Sequence, residues 1–227
     1  MPALAGIVRR ALLALALLGA LALPGCLEPF RVRVEADVLD EAPGWTETYG
    51  KVKGGGLGAR TQETRYSFEP DSSNPPFPGT LQVFSVRSLS RLSSDELLRL
   101  AQSAVEDGAG SHAIVLDGEP VEGRRTLASS VHTHWVLRSG TTTQAGQVFD
   151  DEVRIRILAE VGHDGRSDTS FLAIAIVQVE RTRQCPLLAA CQPTHSEASW
   201  IQVVGDPEGS VQGATSTSGF IDHLVTR

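Results

Sequence analysis

Two histidines one residue apart, His132-Thr133-His134, are the pair in this chain best suited to holding a metal. In an extended segment alternate side chains leave on the same side, so both imidazoles can reach one Zn2+ or Cu2+. A third ligand is required, and His112 or the acidic run Asp150-Asp151-Glu152 could supply it. The plainer alternative is a pair of polar residues on the wet face of a strand whose other face carries Val131, Thr133 and Trp135, since short motifs of this kind are common without metal. Asp150-Asp151-Glu152 and Asp164-Gly165-Arg166-Ser167-Asp168 offer carboxylates to Ca2+, yet neither has the Asp-x-Asp-x-Asp-Gly spacing of a calcium loop, and both read first as solvated acidic loops. Lys51 and Lys53 precede the glycines at 54, 55, 56 and 58, and no Gly-Lys-Ser/Thr follows, so that run reads as a surface connection and not a phosphate loop. No Gly-x-Ser-x-Gly is present. Trp45, Trp135 and Trp200 could line a cleft for sugar or peptide, but with aromatics at 5% of the chain they are needed first as core anchors.

None of these groups forms a complete catalytic set, so the address of the protein carries more weight. The chain has 227 residues, 41% hydrophobic, and a net charge of -7, which excludes a basic nucleic-acid binder and a disordered chain of low hydrophobicity alike. Arg9 and Arg10 are followed by an apolar run from Ala11 to Leu23 and then by Leu23-Pro24-Gly25-Cys26, the layout of an export signal. The run is too short and one-sided for an ordinary membrane span. Leu at minus three and Gly at minus one before Cys26 resemble the lipobox of prokaryotic lipoproteins, although Pro24 replaces the usual small residue. That resemblance implies residues 1–25 as signal peptide, a covalent lipid on Cys26, residues 26–29 as a short tether, and a domain at the cell envelope facing outside the cytoplasm. Loss of the signal removes two arginines and no acid, so the mature domain is more acidic still and the anchor, not a charged face, must hold it at an anionic membrane.

With Cys26 lipidated, Cys185 and Cys191 remain, and in an oxidising compartment they read as a disulfide closing a small loop. Such a short ring is worth about 2 kcal/mol in the chain-entropy picture. Leu187 and Leu188 within it are either a rigid partner contact or residues folded back into the core.

Residues 30–227 suit a single domain, with no repeat of 20 to 50 residues. Alternation from Phe30 to Val38 predicts a strand, as do Thr80 to Val86, His112 to Leu116, Thr126 to Leu137, Gln147 to Val161, Ser170 to Glu180 and Trp200 to Val204. Phe171 to Val179 is apolar on both faces and belongs at the centre of the sheet. Val153, Ile155 and Ile157 alternate with Arg154 and Arg156, which predicts a half-wet strand. Arg138-Ser139-Gly140 and Gly162-His163-Asp164-Gly165 mark tight connections. Ser93-Ser94-Asp95-Glu96 is a capping box opening a helix from Ser94 to Asp107 on Leu97, Leu100, Ala101, Ala104 and Val105, with Gly108 as the left-handed stop. Thr217 to Val225 predicts a terminal helix.

Strands in runs with helices set apart indicate an α+β fold with a mostly antiparallel sheet. Pro43-Gly44-Trp45, the helix opened by Leu92-Ser93-Ser94-Asp95-Glu96, a turn at Gly118-Glu119-Pro120-Val121-Glu122-Gly123 and a closing helix resemble the PsbP-like family of α/β/α sandwich domains, over Phe30 to Arg227. The resemblance implies an accessory or binding domain without catalytic residues. The expectation is therefore a membrane-anchored lipoprotein that binds an envelope protein or a small ligand and no nucleic acid, with no resident cofactor. The alternative is a metal-binding protein or metal-dependent enzyme built on His132 and His134.

Overall fold

A computed structural model describes residues 31–49, 53–54, 60–68, 77–87, 93–145, 150–183, 193–205 and 218–226. The chain opens with strand β1 (Val32–Val34) and helix α1 (Ala36–Asp40), and then builds a sheet from β2 (Trp45–Tyr49), β3 (Lys53–Gly54), β4 (Arg60–Phe68) and β5 (Gly79–Arg87). Helix α2 (Ser94–Ser111) precedes four long strands, β6 (Val115–Thr126), β7 (His132–Gln144), β8 (Asp151–Asp164) and β9 (Thr169–Arg183). β10 (Thr194–His195), helix α3 (Ala198–Val204), a 3-10 turn (Phe220–His223) and β11 (Leu224–Thr226) follow. The main sheet is antiparallel throughout, in the order β2-β4-β5-β9-β8-β7-β6, with β3 beside β4 and β10 beside β9. The fold is α+β with a mostly antiparallel sheet, as the segregation of strand and helix patterns implies.

β9 is the middle strand of that order, where its two apolar faces are both needed. Phe171, Ala173, Ala175, Val177 and Val179 face one core, and Leu172 and Ile174 face the other. The second core is closed by α2, which lays Leu97, Ala101, Ala104, Val105 and Ala109 on Val136, Ile157, Ala159 and Val161. Its start is the expected capping box: Ser93 Oγ accepts from the Glu96 amide at 3.3 Å, and Glu96 Oε2 accepts from the Ser93 amide at 2.7 Å. The first core is closed by the β1–β11 ribbon, α1, α3 and the 3-10 turn, with Val32, Val34, Trp200, Val203, Phe220, Ile221 and Leu224 all buried.

Several elements differ from their sequence expectations for identifiable reasons. The alternation from Phe30 to Val38 yields a strand only over Val32–Val34, because β11 offers three residues to pair; the Glu35 amide donates to His223 O and the chain then coils into α1. Trp200, Val203 and Val204 are spaced as one helical face, and Trp200 to Val204 lies in α3 and is not a strand. The terminal segment forms a single 3-10 turn followed by β11 and not a helix, since pairing with β1 satisfies its backbone. Gly108 lies inside α2 against Ile176 and Ile157, and Ala113 takes the left-handed conformation beyond the helix instead, with φ of 52°. Arg138-Ser139-Gly140 is the middle of β7; Gly140 is there because a Cβ would come within 2.5 Å of Val115 O, so it serves a close approach and not a turn. Gly118 to Gly123 is likewise part of β6, whose register slips between Asp117 and Val121 with Gly118 at φ 56°. The half-wet reading of β8 holds: Val153 and Ile155 are buried while Arg154 is exposed.

Candidate functional site

Arg124 and Arg125 are neighbours on β6 and leave it on opposite faces. Arg125 points into the first core, where its Nε donates to Glu160 Oε1 at 2.9 Å and its Nη2 to Glu160 Oε2 at 2.5 Å. Its Nη1 reaches Val204 O at 3.0 Å and Asp222 Oδ1 at 2.9 Å, and Thr133 Oγ1 donates to Glu160 Oε1 at 2.5 Å. Glu160 has no exposed surface, so three strands, α3 and the 3-10 turn meet on one buried ion pair whose lone pairs and protons are taken up on both sides. Burial alone would lower the guanidinium's affinity for its proton, but Glu160 and Asp222 more than offset this and hold Arg125 charged, above its ordinary range. The arrangement fastens the carboxyl-terminal segment to the sheet. No spacing in the sequence reveals it, because Arg125, Glu160 and Asp222 are joined only by the fold.

Arg124 is the contrary case. It is exposed on the α2 side and has no ion pair or hydrogen bond among the described residues. Glu122, two residues earlier on the same face, accepts from Gln102 Nε2 of α2 at 2.5 Å. The Leu127 amide donates to Val131 O at 2.9 Å, and Arg125 O faces β7, 3.2 Å from Thr133 Oγ1. Odd-numbered residues of this part of β6 thus turn their amides and carbonyls to β7, and Glu122, Arg124 and Thr126 turn theirs outward. β6 ends the sheet order, and among the described residues no strand pairs with its outer edge. The two large hydrophobic side chains that stand exposed among the described residues, Val115 at 70% and Val121 at 44%, both belong to it.

His132 and His134 do share a face, that of Val136 and α2. His132 is exposed and its Nδ1 bonds Thr126 Oγ1 at 2.9 Å, whereas His134 is buried at the rim of the helix. Desolvation holds the His134 imidazole below its ordinary pKa, Arg124 adds to this, and Asp95 opposes it. The residues suggested as third ligands lie elsewhere. Asp151 and Glu152 pair with Gln144 and Thr143 at the far end of β7, about 30 Å along the strand from His134. His112 lies at that same end, bonded to Gly108 O and near Thr142. Among the described residues no three His, Cys, Asp or Glu side chains are gathered as a metal site.

Asp164 closes the β8–β9 turn: its carboxylate accepts from the Arg166 amide at 2.9 Å and from Ser167 Oγ at 2.7 Å. Burial raises its pKa, but these bonds win and hold the carboxyl below its usual range. Trp45, Trp135 and Trp200 are all buried in the first core, Trp45 with its Nε1 on Gln202 Oε1 at 2.7 Å and Trp200 beneath Arg156, so they anchor the core and line no open cleft. Cys26, Cys185, Cys191, Leu187 and Leu188 lie outside the described residues, as do Lys51 and the glycines at 55, 56 and 58. No helix among the described residues is long and apolar enough to cross a membrane. No family model, curated protein or solved structure matches the chain.

Proposed function

We propose that this is an extracytoplasmic lipoprotein, held to the membrane by lipid on Cys26, whose domain works by binding another protein along the outer edge of β6. The observation that carries the binding reading is that edge: outward amides and carbonyls at Glu122, Arg124 and Thr126 beside the exposed Val121. An open strand edge is a template for a further strand, with main-chain hydrogen bonds supplying affinity and side chains supplying choice. The lipobox resemblance supports the address. α2 on one face of the sheet, with α1, α3 and the β1–β11 ribbon on the other, supports reading the domain as a sandwich of the PsbP-like kind.

Cys185 and Cys191 form a disulfide in this reading. The support for it is chemical: the export signal implies an oxidising compartment, and lipid on Cys26 leaves these two thiols to pair with each other. Thiol labelling of the unreduced, denatured chain carrying Cys26→Ser then finds no reactive thiol; two per chain would overturn the bond.

Cys26→Ser is expected to move the protein from the membrane fraction to the soluble one. Retention in the membrane, with no lipid mass on the wild-type chain, would overturn the anchor. A photo-crosslinking side chain at Val121 is expected to give a protein adduct in the envelope, and one at the exposed Ser103 on α2 is not. Adducts from neither position would overturn the edge as a binding surface.

A further inference from the structure

We propose that the partner at this edge is a second copy of the chain, the two sheets joining antiparallel about a two-fold axis through Gly123; this rests on the binding reading and names its partner. The argument is one of register. The residues with outward backbone groups are Glu122, Arg124 and Thr126, and an antiparallel ladder must pair residues of that set or its continuation. Centred on Gly123, Glu122 stands opposite the partner's Arg124, and by symmetry Arg124 opposite the partner's Glu122. Sliding the ladder by one hydrogen-bonding step either way puts Arg124 against the partner's Arg124 or Glu122 against the partner's Glu122, and like charges directly opposite are destabilising. Arg124, which has no ion pair among the described residues, thereby gains a counter-charge.

The length of the ladder is also defined. The register slip between Asp117 and Val121 breaks the edge, and Pro120 has no amide to give. Pairing therefore runs from Pro120 to Thr126, with Pro120 O accepting from the partner's Thr126 amide, and yields roughly six main-chain hydrogen bonds. Val121 comes opposite the partner's Arg125, which covers part of its exposed side chain.

The symmetry agrees with the anchor. β1 lies on the first-core face, with the Val32 amide on Ser85 Oγ and the Val34 amide on Tyr66 Oη, while α2 lies on the opposite face. A two-fold axis perpendicular to the sheet keeps β1 of both copies on one face. β1, which begins six residues after Cys26, thus lies on the same side of the joined sheet in both copies, an arrangement compatible with two anchors in one membrane. A strand pair of this length buries less than a standard interface, so the contact is weak in solution and favoured by confinement to a membrane surface. The exposed charge pairs set register more than affinity.

The test uses the full chain in detergent, by sedimentation velocity over a concentration series. Wild type is expected to show a concentration-dependent monomer–dimer equilibrium. E122R and R124E, each of which puts like charges opposite one another, should each weaken dimerisation about tenfold or more. An equimolar mixture of the two should form a heterodimer, because one copy then presents arginine at both positions and the other glutamate. The double variant E122R/R124E should dimerise as wild type does. Unchanged circular dichroism and melting of the single variants shows that folding is not the cause. Wild type monomeric throughout, single variants that dimerise normally, or a mixture that stays monomeric would each overturn the second copy as partner. Crosslinking from Val121 separates the two readings: an adduct of twice the chain mass supports both, an adduct of another mass overturns the second copy and leaves edge binding standing, and no adduct overturns both.

Discussion

The two faces of the sheet are closed by different means. Among the described residues one is covered by α2, a continuous eighteen-residue helix whose cap and apolar stripe are local in the sequence. The other is covered by α1, α3, the 3-10 turn and the β1–β11 ribbon, drawn from both ends of the chain, none of which is long enough to be stable by itself. Short segments of this kind are held by specific polar contacts from a distance: Val34 N to Tyr66 Oη at 2.9 Å, Ser199 Oγ to Phe77 O at 2.9 Å, Trp45 Nε1 to Gln202 Oε1 at 2.7 Å, and Arg125 to Asp222. The helical face gains its order locally, and the ribbon face only when the whole domain is assembled.

The sharpest way to break this contrast is to remove one charge from the ribbon face. Glu160→Ala leaves Arg125 buried without its main counter-charge and should cost about 3–5 kcal/mol, read as a loss of melting temperature and as early proteolysis of the carboxyl-terminal segment. Replacing both partners, Arg125→Met with Glu160→Leu, should recover most of that loss, since the desolvation of two charges is relieved together. If Glu160→Ala melts within a degree of wild type, the ion pair does not fasten the ribbon to the sheet.

The helical face should yield less. Ser93→Ala removes the hydroxyl that accepts from the Glu96 amide, and is expected to cost about 1 kcal/mol without changing the proteolysis of the chain ends. Glu96 supports the same cap, its carboxyl held below the usual range by the amide and hydroxyl of Ser93. Chain-end cleavage that rises equally in Ser93→Ala and Glu160→Ala would erase the distinction between the faces.

The same division explains what could be read in advance. α2, the central place of β9 and the half-wet start of β8 were legible because capping, two-sided apolarity and alternation are local signals. The alternation at Ala36 and Val38, the run from Trp200 to Val204 and the described end from Phe220 to Val225 take conformations that local pattern does not specify, because each is decided by what the segment packs on or pairs with: β11 for β1, the sheet for α3, β1 for β11. The candidate edge is not legible in the sequence, which reads as a turn there. The glycine and proline between Asp117 and Val121 resemble a turn, and only pairing with β7 shows a strand that slips register and continues. Likewise His132 and His134 fall on one face as alternation requires, whereas the distance from them to Glu152 depends on which end of β7 meets the start of β8.

The finest probe of the helical face is pH, with His134 as the reporter. Its imidazole sits under the start of α2, where desolvation, with Arg124 adding and Asp95 opposing, keeps its pKa below the ordinary 6.5. As the pH falls, the unfolded chain therefore takes up this proton before the folded one does. The stabilisation linked to His134 is complete above about pH 6.5 and is lost as the pH drops through the histidine range, until the folded-state imidazole is itself protonated. Asp164, also held below its usual range, produces its own loss only at lower pH, as its carboxylate is protonated. His134→Gln should flatten the stability curve between neutral pH and pH 5.5 and leave the acid limb below about pH 4 in place. Arg124→Gln, which removes the added repulsion, should make the same slope shallower without abolishing it. A slope that persists unchanged in His134→Gln would assign it to a different group and remove His134 from the description of this face.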